Sequence, residues 1–203
     1  MKRIILASAS PRRKRLLEQI NINFQVAPQD IVETVDLSMK PEEFAETTAL
    51  RKAQHSAGKF SNSLIIGSDT IVVHHNQILG KPSNEEQATA MLTRLSDDSH
   101  TVITGVALLK TGSKGEIVDK TVFNEQTIVT FSLLNSKEIQ DYINTGSPMD
   151  KAGAYGIQDD WGSVFVSGIK GDYYNVVGFP LHRFYHTLKS FVPGLLPEPA
   201  PKF

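Results

Sequence analysis

Ser8-Ala9-Ser10-Pro11-Arg12-Arg13 is the first stretch whose residue types and spacing could do chemistry. It lies where the apolar run Ile4-Ile5-Leu6 gives way to a helix with Ser10 as N-cap and Pro11 at its first position. Backbone N–H groups and the positive dipole end converge there. Two hydroxyls and two guanidiniums add donors, which suits a phosphate chain. The same residues also read as a capped helix with a solvated basic face. Asp69 is the second candidate. It sits in Gly67-Ser68-Asp69-Thr70, at the expected end of the apolar strand Leu64-Ile65-Ile66, on the edge of the sheet where α/β proteins place ligands. A carboxylate there is a general base, a magnesium ligand, or a plain turn aspartate.

Lys52, Lys81 and Lys151 are separately placed cations. Gly80 and Pro82 constrain the backbone around Lys81, so that lysine is either a preorganised cation or an exposed turn residue. Glu33 stands in a polar loop and gains interest only as a partner for Asp69 in holding a divalent cation. The segment 151–158, Lys-Ala-Gly-Ala-Tyr-Gly-Ile-Gln, offers a stacking face in Tyr155 and an amide, Gln158, that can donate to and accept from a base edge. It is not G-x-G-x-x-G, and no Walker A sequence occurs, which excludes a P-loop NTPase. His182 and His186 have the i, i+4 spacing of a zinc pair, but residue 183 is Arg rather than part of H-E-x-x-H, and no third ligand is evident. Asp97-Asp98 and Asp159-Asp160 read as turn residues.

The elements that must position these side chains alternate. Ile4–Leu6 is a short strand, followed by a helix with Leu16, Leu17 and Ile20 inward, and Phe24 and Val26 mark a second strand. Pro41 opens a helix to about Lys59, acidic first and basic later, as the macrodipole favours. Leu64–Ile66 is a strand, continued beyond a polar break by Ile71–Val73. Ser83 to Glu86 matches a capping box, and Met91, Leu92 and Leu95 form an apolar helical face. Thr101–Leu109 and Val118–Leu133 are β-rich and joined by a turn near Gly112 and Gly115. Ser136 caps a helix with Ile139, Tyr142 and Ile143 inward. Ser163–Ile169 reads as a strand and Leu181–Phe191 as a terminal helix. The expectation is an α/β fold of two lobes around a mixed sheet. Residues 1–192 form one domain, and 193–203 form a Pro-rich tail.

Composition excludes other classes. The 203 residues carry 21 basic and 22 acidic side chains, with 40% hydrophobic and 21% charged residues, which fits a globular chain long enough to bury its own core. A net charge of −1 argues against nucleic-acid polymers and anionic membranes as partners. No window approaches the roughly 20 apolar residues of a membrane span, and the N-terminus lacks a signal-peptide core, so a cytoplasmic location is expected. Cysteine is absent, which removes disulfides, Cys-ligated metals and thiol nucleophiles. The balance is uneven: residues 1–15 hold six basic residues and no acid, leaving fifteen basic against 22 acidic in the rest. Such a cluster marks a local site.

Taken together, Leu6–Arg13 (LASASPRR), Gly67–Val72 (GSDTIV), Gly80–Pro82 (GKP), His100–Gly105 (HTVITG), Asp150–Gln158 (DKAGAYGIQ) and Val177–Leu181 (VGFPL) resemble the Maf family of nucleoside triphosphate pyrophosphatases. The resemblance covers nearly the whole chain before the tail. It implies a Maf/inosine-triphosphatase-like fold with the active cleft between lobes, a homodimer, a divalent cation (Mg²⁺ or Mn²⁺) and a cytoplasmic location. It also implies hydrolysis of a nucleoside triphosphate to the monophosphate and pyrophosphate. The A-G-A-Y-G-I-Q loop looks like the branch acting on dTTP and UTP. Arg12, Thr70 and Gln158 match positions associated with that substrate choice, and Asp69 matches the catalytic base. Asp159-Asp160 stands where the pattern leads to a glycine. On this reading Ser8, Ser10, Arg12, Arg13, Lys52 and Lys81 meet the phosphates, and Glu33 and Asp69 meet the metal. The alternatives are the same chemistry on 7-methyl-GTP or CTP, and a nucleotide-binding regulator of cell division or septum formation.

Overall fold

In the computed structural model, which describes residues 3–28, 39–158 and 161–196, the expected alternation is present. The first half runs β1 (Arg3–Leu6), α1 (Pro11–Gln19), β2 (Gln25–Val26), α2 (Pro41–Ala57), β3 (Ser63–His74), β4 (Gln77–Leu79) and α3 (Glu85–Leu95). The second half runs β5 (Ser99–Thr111), β6 (Ile117–Phe131), α4 (Ser136–Asn144), two 3₁₀ turns at Ser147–Asp150 and Ala152–Ala154, α5 (Gly162–Phe165), β7 (Val166–Lys170), α6 (Tyr173–Val177) and α7 (Leu181–Phe191). The sheet order is β2-β1-β3-β5-β6-β7, with β4 paired to β3 off that path. β1 is parallel to both β2 and β3, and every other pair is antiparallel. The sheet is therefore mixed, as expected.

Alternation along the strands separates two faces. Leu6, Leu64 and Ile66 join the main core with Leu17 of α1, Leu92 of α3, Tyr142 of α4 and Phe184 of α7. Ile5 and Ile65 point the other way, onto α2. That helix presents Ala45, Ala49, Ala53 and Ala57, a stripe at four-residue spacing, all buried. The strands answer with glycine. A Cβ on Gly67 would lie 2.2 Å from the Ala49 carbonyl oxygen, and one on Gly105 would lie 2.3 Å from that of Ala45. Helix and sheet thus meet backbone to backbone, which fixes where α2 holds its one inward lysine, Lys52.

Strand β3 corrects an expectation. Gly67 to Thr70 is not a break; the strand runs on unbroken to His74, paired with β5 from Leu64 to Val73. Ile66 is its last residue paired with β1 and Val72 its first paired with β4, so from Gly67 to Ile71 it has a strand neighbour on one side only. Asp69 sits in that gap, beyond the carboxyl end of β1. Helices α3 and α4 and the two 3₁₀ turns pack together, the second of those turns against β3.

Three smaller expectations are also corrected. Asn84 rather than Ser83 caps α3, accepting from the Gln87 N–H while the Gln87 side chain accepts from the Ser83 N–H. Asn135 rather than Ser136 caps α4, with Glu138 completing a capping box. Gly162–Phe165 is a helical turn, so β7 starts only at Val166. Packing on the main core continues past α7 to Leu195 and Leu196, while Asp159, Asp160 and residues 197–203 lie outside the described residues. Among the described residues no helix is long and apolar enough to cross a membrane.

Candidate active site

A cavity of about 510 Å³ opens over the gap in β3, a size suited to a small-molecule ligand. At its floor lies an ion pair. Lys52 Nζ donates to Asp69 Oδ1 at 2.7 Å, with the two side chains only 10% and 5% exposed. Asp69 Oδ2 is buried, and it has no hydrogen-bond partner among the described residues. Removing one member of such a buried pair typically costs about 3–5 kcal/mol, because the other charge is stranded. The carboxylate is thus fixed through one oxygen while the other is left to accept.

Thr70 points to the opposite face from Asp69 and anchors a hydroxyl network. Its Oγ1 lies 3.0 Å from Thr104 Oγ1, directly across on β5. Arg13 closes the network, donating from Nη2 to Thr70 Oγ1, from Nη1 to Ser8 Oγ and from Nε to the Gly178 carbonyl, at 3.0–3.1 Å. Ser8 Oγ also accepts from the Ser10 N–H, and Ser10 Oγ caps α1 by accepting from the Arg13 N–H. A hydroxyl that accepts keeps its own proton to donate. Arg12, by contrast, reaches across the mouth of the cavity to Asp150 Oδ2 at 3.0 Å. Asp150 Oδ1 accepts from Lys151 Nζ at 2.7 Å. Partial burial pushes the Asp150 carboxyl up, but Lys151 and Arg12 outweigh it and hold the group below its usual range.

The far wall is the segment from Lys151 to Gln158. Tyr155 is buried, and its Oη lies 2.7 Å from His100 Nε2. Burial, with Tyr142 nearby, raises the Tyr155 phenol far above its ordinary value, so it stays protonated. His100 is held down at about 4, chiefly by burial. A histidine whose folded pKa lies below its unfolded value of about 6.5 contributes stability that is complete above pH 6.5 and fades as pH falls to 4. The expected loss across that window is about 3 kcal/mol in urea unfolding, and it should vanish in His100→Asn. Asp98, Asp119 and Asp150, all lowered from 3.8, lose their contributions below this window, so they do not mask it.

The family model described as Maf-like protein matches residues 3–191. A protein of Geobacillus sp. (strain WCH70) named dTTP/UTP pyrophosphatase is 48% identical over 189 residues, which cover 93% of this chain and 98% of that protein. The chain belongs to the Maf-like protein family. A second relative of the same name, from Halalkalibacterium halodurans, is 51% identical over 93% of this chain and 96% of its own length. Among solved structures, a HAM1 protein from Coxiella burnetii matches with a TM-score of 0.43 and 15% identity, covering 64% of this chain and 73% of that one.

In this Maf-like chain, Ser10, Arg12, Arg13, Lys52, Asp69, Thr70, Lys81 and Gln158 all line the one cavity, and Ser8 stands behind it through Arg13. Glu33 lies outside the described residues. Lys151 is a structural anchor, buried and donating to the Ser147 carbonyl as well as to Asp150. Asp150, Thr104 and His100 were left without roles by sequence reasoning, although each stands inside a quoted motif. His182 and His186 are exposed neighbours on α7 and belong to no group of three ligands among the described residues. His74, His75 and Asp98 do bring three ligand atoms together. However, Arg94 Nε donates to His74 Nδ1, so the ring proton sits on Nε2 and is given to Asp98. That arrangement is a tether between the β3–β4 turn and the loop before β5.

Proposed function

We propose that this protein hydrolyses nucleoside triphosphates, dTTP and UTP foremost, to the monophosphate and pyrophosphate. The observation that carries the reading is Asp69, fixed by Lys52 through Oδ1 and with Oδ2 unpartnered in a cavity that also receives Arg12 and Lys81. The phosphates enter between the first turn of α1 and Lys81, met by Arg12, by the hydroxyl proton of Ser10 and by the helix dipole, with Ser8 behind Arg13. Arg13 adds charge while its N–H groups hold Ser8 and Thr70 in place. Asp69 Oδ2 accepts a proton from water, the water oxygen bonds to the α-phosphorus, and the bond from that phosphorus to the bridging oxygen breaks. Pyrophosphate leaves with its charge on oxygens that the cations face, and the proton passes from Asp69 to solvent.

A divalent cation, Mg²⁺ or Mn²⁺, belongs to the same reading. Carboxylates suit a hard cation, so Asp69 and Glu33 would hold it, with Asp69 Oδ2 serving either the cation or the water proton at any one moment. Bound there, it supplies charge neutralisation on phosphate oxygens and a more acidic water. Tyr155 and Gln158 take the base, as stacking face and hydrogen-bonding edge. The reading further places the protein in the cytoplasm as a homodimer, with nucleotides rather than nucleic-acid polymers or membranes as partners.

Incubating the purified protein and Mn²⁺ with dTTP, UTP, CTP, ATP, GTP and 7-methyl-GTP tests both parts. We expect kcat/KM for dTTP and UTP to exceed that of the purine nucleotides by about 10- to 100-fold, the range that pocket contacts supply. Preference for 7-methyl-GTP or CTP overturns the base assignment alone. Absence of pyrophosphate from every nucleotide overturns the reaction.

A further inference from the structure

We propose that His100 is a positioning residue for base recognition: through Tyr155 it holds the segment 151–158 in the shape that selects the nucleobase. The inference rests on the reading of that segment as the base site. Residues 100, 102 and 104 share one face of β5, and all three serve the cavity. Thr104 holds Thr70, Val102 lines the wall directly, and His100 holds Tyr155. His100 is an expensive residue for that place. It is 2% exposed, and its Nδ1 is buried without a partner among the described residues, so an aliphatic side chain would be easier to bury there. Its polar contact in the structure is the hydroxyl of a cavity-lining tyrosine.

The segment needs such a hold because it makes no strand ladder. Gly153 and Ala154 are both left-handed, with φ of 68° and 62°. For alanine that conformation is strained, and it persists only where the surroundings impose it. Ala154 immediately precedes Tyr155, so the strained residue aims the ring. From behind, the ring of Tyr155 is packed edge-on by Phe131 at 4.7 Å and by His100 at 5.2 Å. Tyr142 Oη accepts from the Gly156 N–H and steadies the next residue. Of these contacts, the one from His100 is the polar contact to the tyrosine itself.

The test compares His100→Leu, His100→Gln and Tyr155→Phe by calorimetric binding of non-hydrolysable dTTP and ATP analogues and by kcat/KM for both nucleotides. Loss of the hydrogen bond in His100→Leu is expected to narrow the dTTP-over-ATP preference about tenfold, through affinity and KM, with kcat within about threefold. Gln places an amide nitrogen near the position of Nε2, so His100→Gln should restore most of the preference. Tyr155→Phe should match His100→Leu, and combining the two should add nothing further, since both remove one contact. A folded His100→Leu protein with unchanged preference overturns the inference. If His100→Leu does not fold, an unchanged preference in Tyr155→Phe does so instead. Wild-type protein that binds neither analogue overturns the base-site reading itself, before any variant is compared.

Discussion

Asp69→Asn is expected to fold, to bind a non-hydrolysable dTTP analogue within a few-fold of wild type, and to release pyrophosphate about 10³-fold more slowly. The substitution keeps the shape of the side chain and replaces Oδ2 with a group that donates instead of accepting. Lys52 can still donate to the remaining oxygen, so the floor of the cavity is not stripped of its partner. What disappears is the acceptor for the water proton. The expected signature is therefore a fall in kcat with little change in dissociation constant, read by single-turnover kinetics beside calorimetry. A fall of less than tenfold in kcat means that Asp69 is not the base. The same variant separates hydrolysis from a purely nucleotide-binding role in cell division, because a binding role survives it.

Gly67→Ala should be among the most damaging single methyls at the described residues, beside Gly105→Ala. Alanine suits a strand better than glycine by propensity, so propensity alone predicts a gain. Geometry predicts the reverse. The new Cβ would meet the Ala49 carbonyl oxygen at 2.2 Å and the Ala53 nitrogen at 2.8 Å, and neither is a side chain that can rotate away. Helix α2 must move off the sheet, at an expected loss of about 3 kcal/mol or more in urea unfolding. Lys52 precedes Ala53 on that helix, so the 2.7 Å contact with Asp69 opens and kcat falls together with stability. Gly58→Ala is the control, since a Cβ there meets nothing within 4 Å. Unfolding of Gly67→Ala within about 0.5 kcal/mol of wild type, the range of neutral surface changes, would show that α2 is not seated on backbone.

Helices α1 to α4 were legible because each carries its apolar spacing and a start signal of its own, whereas α5 falls within an expected strand and α6 was not expected at all. Pro11 and Pro41 open α1 and α2, and Leu92 with Leu95 betrays the inner face of α3. The course of β3 was not legible. Ser68 and Asp69 look like a turn to any rule that expects polar residues outside, and the lysine that makes Asp69 tolerable inside comes from another segment. Lys52 meets Asp69 only once α2 lies across the strand, and nothing in the spacing of 17 residues states that crossing. For the site, residue types identified Asp69, Arg12, Lys81 and Gln158, and the cavity gathers them. Residue types could not divide the two arginines: Arg13 is tied into the wall by three donors, while Arg12 faces Asp150 across the opening. His100 escaped notice because its role lies in its neighbour, 55 residues away.

The tie between Arg13 and Gly178 spans 165 residues, and that between Arg12 and Asp150 spans 138. Contacts that close loops of this length come late in folding, after nearby pairings have shortened the effective chain. The long hairpin of β5 and β6 and the seating of α2 can form from residues within one half of the chain. The cavity cannot, because its walls come from segments as far apart as Ser10 and Gly178. During synthesis, residues 1–170 could fold much of the sheet and still lack the carbonyl that orients Arg13. Competence for chemistry is then acquired only after the segment that carries Gly178 has been made and has met α1, so shorter partly made molecules hold no finished site.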